Sequence, residues 1–281
     1  MYYLMIIISA LLFSLQFMLN DGYKRECGST LVSALKFSLY TSLTGLVILL
    51  LINRFKLEIT LFSAIVALVY ALVCVIFSYC SVKAFESANL SVYSVFSMIG
   101  GMVLPFAYGM LCGEEFKLSR LLCCVLIVAA IIFTADKSGE HKGGFKYYIA
   151  IFTLNGLVGI LSKFHQSNIS LCVDSASFMM LTKIFTVAIS AVLLVCMKGK
   201  IFAISPKAFA NCGIYSAINS IGNLMLLIAL LHLPASVQYP LVTGGTMFFA
   251  LLISLIRKDK VNKRDVLGTA LAIVSTVIII F

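Results

Sequence analysis

Charged side chains are what this chain has least of. Asp, Glu, Lys and Arg make up 11% of its residues, against roughly 25% in a soluble globular domain, which needs them to face water. Acidic residues are missing from one place in particular. Each of the eleven Asp and Glu falls between the long apolar runs or at their ends. An exporter that cycles a proton through a carboxylate, or that selects organic cations by ion pairing, needs such a group inside a span. Both are disfavoured, which leaves uncharged, zwitterionic and anionic solutes. Histidine occurs three times, at His141, His165 and His232, never at ligand spacing from a cysteine. No CxxC pair exists, and Cys74, Cys80, Cys112, Cys123, Cys124, Cys196 and Cys212 sit in or beside apolar runs, where they read as packing residues. Ser–His, paired-Asp and HExxH arrangements are absent from the runs as well. The expectation is a protein that is not an enzyme and uses neither cofactor nor metal. The N-terminus lacks the basic region and small-residue cleavage site of a signal peptide, so it reads as a permanent span.

What fills the chain instead is apolar residue, 62% of the total. It is arranged in ten runs of membrane-spanning length, over roughly 2–20, 29–52, 60–81, 90–112, 119–135, 145–165, 175–197, 207–230, 234–256 and 264–281. Helices are expected, because lipid cannot satisfy exposed backbone groups and the runs lack the alternation of a β-barrel. Asp174-Ser175 and Ser205-Pro206 have the form of helix starts. The fold class is therefore an all-α membrane protein of ten transmembrane helices. Its domains are a first five-helix repeat over 1–135, a polar linker over 136–144 and a second five-helix repeat over 145–281. Five spans in the first half force the second to enter the bilayer inverted. Sliding the halves by 144 to 147 positions sets Tyr2-Tyr3 on Tyr147-Tyr148, Lys36 on Lys183, Tyr70 on Tyr215 and Gly100-Gly101 on Gly244-Gly245.

The net charge of +10 is spread through the breaks and forms no basic patch interleaved with aromatics, so nucleic acid is not an expected partner. Fourteen Lys and Arg fall in the breaks after the odd-numbered spans and four in those after the even-numbered ones. Basic loops stay cytoplasmic, which puts both termini outside.

Inside the runs, three kinds of position carry chemistry. Lys36 and Lys183 stand at mid-depth as gate or substrate-steering cations, or else snorkel to the interface; Lys163 is the third buried-run lysine. Asn211, Tyr215, Asn219 and Asn223 recur on one face of the eighth span. With Tyr70, Asn155, Gln238 and Tyr239, the last three of these form the substrate-binding set, its alternative being interhelical glue. Gly100, Gly101 and Pro105 in the fourth span and Pro240, Gly244 and Gly245 in the ninth are the candidate hinges, or small residues for close packing.

Two five-span halves, Leu35-Lys36-Phe37 and Thr182-Lys183-Ile184 in corresponding spans, and Gly113-Glu114-Glu115 closing the fourth span resemble the EamA-like branch of the drug/metabolite transporter superfamily. The second half departs from that pattern, reading Arg257-Lys258-Asp259 where the Gly-Glu pair belongs. The resemblance implies carriers of amino acids, nucleobases, sugars and related metabolites, many with cytoplasmic termini. The expected function is transport of a small polar metabolite by alternating access in the plasma membrane, the cavity lined by spans 1, 3, 4, 6, 8 and 9. Its partners are a small-molecule substrate and the lipid bilayer, the chain acting as monomer or homodimer. A non-transporting membrane scaffold or lipid-handling protein is the competing reading.

Overall fold

The computed structural model describes residues 1–28, 30–87, 90–134, 145–197, 204–256, 258 and 263–280. They form ten helices and, among the described residues, no strand. In chain order these are α1 (Tyr2–Cys27), α2 (Leu31–Ile52), α3 (Leu61–Ser87), α4 (Leu90–Leu111), α5 (Leu118–Thr134), α6 (Phe145–Ser167), α7 (Ser175–Cys196), α8 (Pro206–Leu230), α9 (Ala235–Ile256) and α10 (Lys263–Ile280). Each corresponds to one apolar run. Six of them (α2, α3, α6, α7, α8 and α9) hold stretches long and apolar enough to cross a membrane, and the other four contain shorter apolar segments. The 136–144 linker and most of the 257–262 break lie outside the described residues.

Two helices run further than hydropathy indicates: α1 continues to Cys27 and α3 to Ser87. A hydropathy reading stops where apolar residues stop, whereas backbone hydrogen bonding carries a helix on into a polar stretch. The starts follow the sequence closely. Asp174 Oδ1 accepts from Ala176 N at 2.9 Å and Ser177 N at 3.0 Å, opening α7. Ser205 Oγ accepts from Ala208 N at 3.1 Å, with Pro206 in the first turn of α8. Thr30 caps α2 in the same way through Ser33 N. Prolines 105 and 240 do not break α4 and α9, which run as single helices through them.

The packing is inside out by the standards of a soluble protein. On α3, Leu61, Ile65, Leu68, Leu72, Ile76 and Tyr79 form an outward stripe at helical spacing, each 39% exposed or more. Inside, serine and threonine are buried alongside an apolar core, among them Ser9, Ser14, Ser42, Ser190 and Ser220. In water that arrangement is unfavourable on both sides. In lipid it costs nothing outside, and hydroxyls such as those of Ser9, Thr41 and Thr186 bond the carbonyl one turn back, at 2.7 to 2.8 Å. Small residues then bring backbones together. A side chain at Gly100 would collide with the backbone of Phe152, and one at Gly156 with Leu104, so α4 and α6 meet almost backbone to backbone. Around the bundle, α1 packs on α8 and α9, α6 on α3 and α4, α2 on α7 and α8, α3 on α7, and α10 on α5 and α9.

Candidate functional site

At the centre of the bundle lies a cavity of about 560 Å³, within the roughly 300–1,000 Å³ usual for a small-molecule site. Eight helices line it, α5 and α10 alone contributing nothing among the described residues. Of the predicted substrate-binding set, Tyr70, Asn155, Tyr215, Asn219, Asn223 and Tyr239 line the cavity, as do Lys183 and Gly101. Gln238, Lys36, Gly100, Pro105, Pro240, Gly244 and Gly245 do not.

Tyr215, Asn219 and Asn223 of the α8 stripe face inward because they recur every four positions along one side, whereas Asn211, one turn nearer the start of the helix, is not in the lining. Tyr215 takes a 2.5 Å hydrogen bond from Gln16 Nε2 and packs edge-on against Phe37. Asn219 Oδ1 accepts from Lys183 Nζ at 3.3 Å, and Asn223 Nδ2 donates to Asn219 O at 2.9 Å. Across the cavity, Asn155 Nδ2 donates to Ser97 O at 2.7 Å, tying α6 to α4, and Tyr239 Oη donates to Gly159 O at 2.9 Å, tying α9 to α6. Gln238 has the glue role instead: fully buried, it donates to Leu226 O at 2.9 Å and holds α9 to the end of α8.

The candidate hinges are packing points. Gly101 faces Asn155 of α6, Pro105 fills the space beside Gly159, and Gly245 faces Ala10 of α1. Gly244 and Gly245 also border a separate apolar cleft of about 520 Å³ between α1, α9 and α10.

The lining has a register of its own. Ser33 and Phe178, Phe37 and Thr182, Ser38 and Lys183, Thr41 and Thr186, Tyr70 and Tyr215, Cys74 and Asn219, and Ser78 and Asn223 all line the cavity, each pair 145 positions apart. In this register Lys183 answers to Ser38. Lys36, placed opposite Lys183 by an offset of 147, answers to Leu181, a core residue. Two positions on a helix are about 200° of rotation, enough to move a side chain from one face to the other. The two lysines are not equivalent.

Sequence reasoning missed α2 and α7 as walls, with Ser38, Thr41, Ser42, Thr182 and Thr186 on them, and Gln16 on α1. The spacing of the hydroxyls at three and four residues was a weak signal, and Gln16, a lone amide in its span, a stronger one.

The lining reaches the connection between α1 and α2, at Gly28 and Thr30. None of the connections at the opposite end of the bundle, 53–60, 112–117, 168–174 and 231–234, contributes to it. That end is tied shut. Glu114, in the α4–α5 connection, accepts from Ala235 N at 2.7 Å, Ser236 N at 3.0 Å and Ser236 Oγ at 2.6 Å, capping α9. Its other partner is Lys163 of α6 at 2.9 Å, with both side chains largely buried. Arg120 Nη1 bonds Ser236 Oγ at 3.2 Å. Burial opposes ionisation of Glu114, but the bonds from Ser236, Lys163 and Ala235 outweigh it and hold the carboxyl below the ordinary carboxylate range. The fold also makes a Ser–His contact that sequence spacing does not show: His165 stacks on Phe178 at 3.8 Å and meets Ser63 Oγ at 2.9 Å, and Ser63 Oγ accepts from Val173 N at 3.0 Å.

Six helices long and apolar enough to cross a membrane, with polar groups turned inward around a cavity, are the arrangement of a polytopic membrane protein. No protein-family model matches the chain, and no curated protein matches it. Its fold is similar to that of a protein of solved crystal structure, at a TM-score of 0.75 over 99% of this chain and 96% of the other, with 12% identical residues. At that identity the likeness concerns architecture alone.

Proposed function

We propose that this protein is an alternating-access carrier of the plasma membrane that moves a small polar metabolite of amino-acid, nucleobase or sugar type. In this reading all ten helices cross the bilayer, as two inverted five-helix repeats over 1–135 and 145–281, and the chain is an EamA-like member of the drug/metabolite transporter superfamily. The observation that carries it is the central cavity: lined from both halves by amides, hydroxyls and one lysine set among apolar side chains, reaching one end of the bundle and tied off at the other by the Glu114–Lys163 pair. A scaffold packed solid has no use for such a space.

Two features support the repeat. The lining recurs at 145 positions. The helix contacts also map nearly onto themselves when each helix is exchanged for the one five places along: α1 on α8 becomes α6 on α3, α4 on α6 becomes α9 on α1, and α3 on α7 becomes α8 on α2. An inverted repeat gives a carrier its mechanism, since the two halves can exchange conformations and expose one site to each side in turn. The test is exchange of labelled metabolites by purified protein in liposomes. The reading predicts saturable uptake of at least one solute class, driven by unlabelled solute inside; a sealed, folded preparation that moves none of a broad panel contradicts it.

A further inference from the structure

If the cavity is a carrier's site, as proposed above, its chemistry points beyond the amino-acid, nucleobase and sugar types to a different class of solute. Among the described residues that line it, Lys183 is the one charged side chain, and there is no Asp or Glu. The ammonium does not snorkel. It stands on the third turn of α7 and turns across to Asn219 of α8. Its stem lies over Gly45, where a Cβ would come within 3.3 Å of Lys183 Cε and within 2.9 Å of the Ser216 and Ser220 hydroxyls.

An ammonium has three N–H donors, and a bundle interior holds its charge only with a counter-charge and further hydrogen bonds. One amide oxygen at 3.3 Å satisfies a single donor. Lys163 shows the other outcome, its charge already matched by Glu114 at 2.9 Å. For Lys183 the counter-charge has to arrive with what enters the cavity.

The amount of charge is also set. In the 145-position register the partner of Lys183 is Ser38, so among the described residues the site carries one cation rather than a symmetric pair. A phosphate monoester, at about −1.5 to −2 near pH 7, would leave charge unmatched. An amine would find no carboxylate among the described lining residues. Elsewhere the lining sets hydroxyls among Phe13, Phe37, Phe77 and Phe178, which suit an uncharged, largely apolar body. We infer that the solute is a monocarboxylate with such a body, its carboxylate held by Lys183 and by the amide N–H groups of Asn219.

The test uses the purified full chain and matched pairs: benzoate, 3-phenylpropionate and hexanoate, each beside its own carboxamide, with glucose 6-phosphate beside glucose and phenylalanine as a zwitterion. Binding is read as a rise in melting temperature, and movement as exchange in liposomes. Acids should bind at least about tenfold more tightly than their amides, the scale of a charge-assisted hydrogen bond. Lys183→Gln should bring the acid down to the level of the amide. Equal responses to acid and amide, preference for the sugar phosphate or the zwitterion, movement of neutral members alone, or acid binding unchanged in a folded Lys183→Gln protein each overturn the inference while leaving a carrier in place. Silence from every member in folded, sealed preparations overturns this inference; silence that extends to the broad metabolite panel overturns the carrier reading with it. The acid–amide comparison needs no variant, so it decides the matter even if Lys183→Gln does not fold.

Discussion

Lys36 and Lys183 have similar surroundings in sequence and different fates in the fold, and the difference is measurable. Lys36 lies off the cavity; Lys36→Gln is expected to leave ligand affinity within about threefold, whereas Lys183→Gln removes a charged partner and costs about tenfold or more. Comparable losses from the two variants in a binding titration would restore the symmetric gate. Glu114 makes a second prediction at this scale. Its folded carboxyl is held low, so the stability it contributes is complete above the unfolded value, near pH 4.3, and is lost as pH falls through the lower folded value. Glu114→Gln is expected to destabilise by about 1–3 kcal/mol at pH 7, because Lys163 loses its counter-charge and the α9 cap weakens. The gap between the melting curves of the two proteins should narrow progressively as pH falls from the unfolded value through the lower folded one; a gap that does not narrow sinks the assignment.

What could be read from the residues alone follows from cost. An amide in a lipid-spanning run is expensive, so Asn219, Asn223 and Asn155 announce themselves, and all three line the cavity. Gln238 announces itself equally and has a different job, because only tertiary contact decides whether an amide meets a cavity or the carbonyl of Leu226. Threonine hides. Its hydroxyl bonds the carbonyl one turn back, as Thr41 does to Phe37 and Thr186 to Thr182, so its presence in a span carries little signal. The α2 and α7 walls went unread for that reason.

At the scale of helices, all ten elements were legible from apolar periodicity and length, and the caps of α7 and α8 from Asp174 and Ser205. The glycine pairs were legible as special positions. Their work as contact points was not, since Gly101 against Asn155 and Gly245 against Ala10 are facts of packing. Close approach gives a sharp test. Gly100→Val places a side chain against the backbone of Phe152 and should cost about 1–3 kcal/mol or more, the range of overpacking. Gly213→Ala, where nothing stands within 4 Å of the added carbon, should leave the melting temperature unchanged or slightly higher. Equal tolerance of both would mean that α4 and α6 do not pack as described.

For the molecule as a whole, the account is that one cavity serves two faces in turn, with the Glu114–Lys163 pair closing the end away from the 28–30 connection. A single cysteine at Ser78, in a chain whose nine native cysteines are replaced, reports on this directly. Labelling by a membrane-impermeant thiol reagent is followed in right-side-out and inside-out vesicles, with Glu114 intact and in Glu114→Ala. The account predicts modification from both sides, dominated by the face of the 28–30 connection, with the rate from the opposite face rising several-fold once the ion pair is broken. Modification from one face only, unchanged by that substitution, would contradict it.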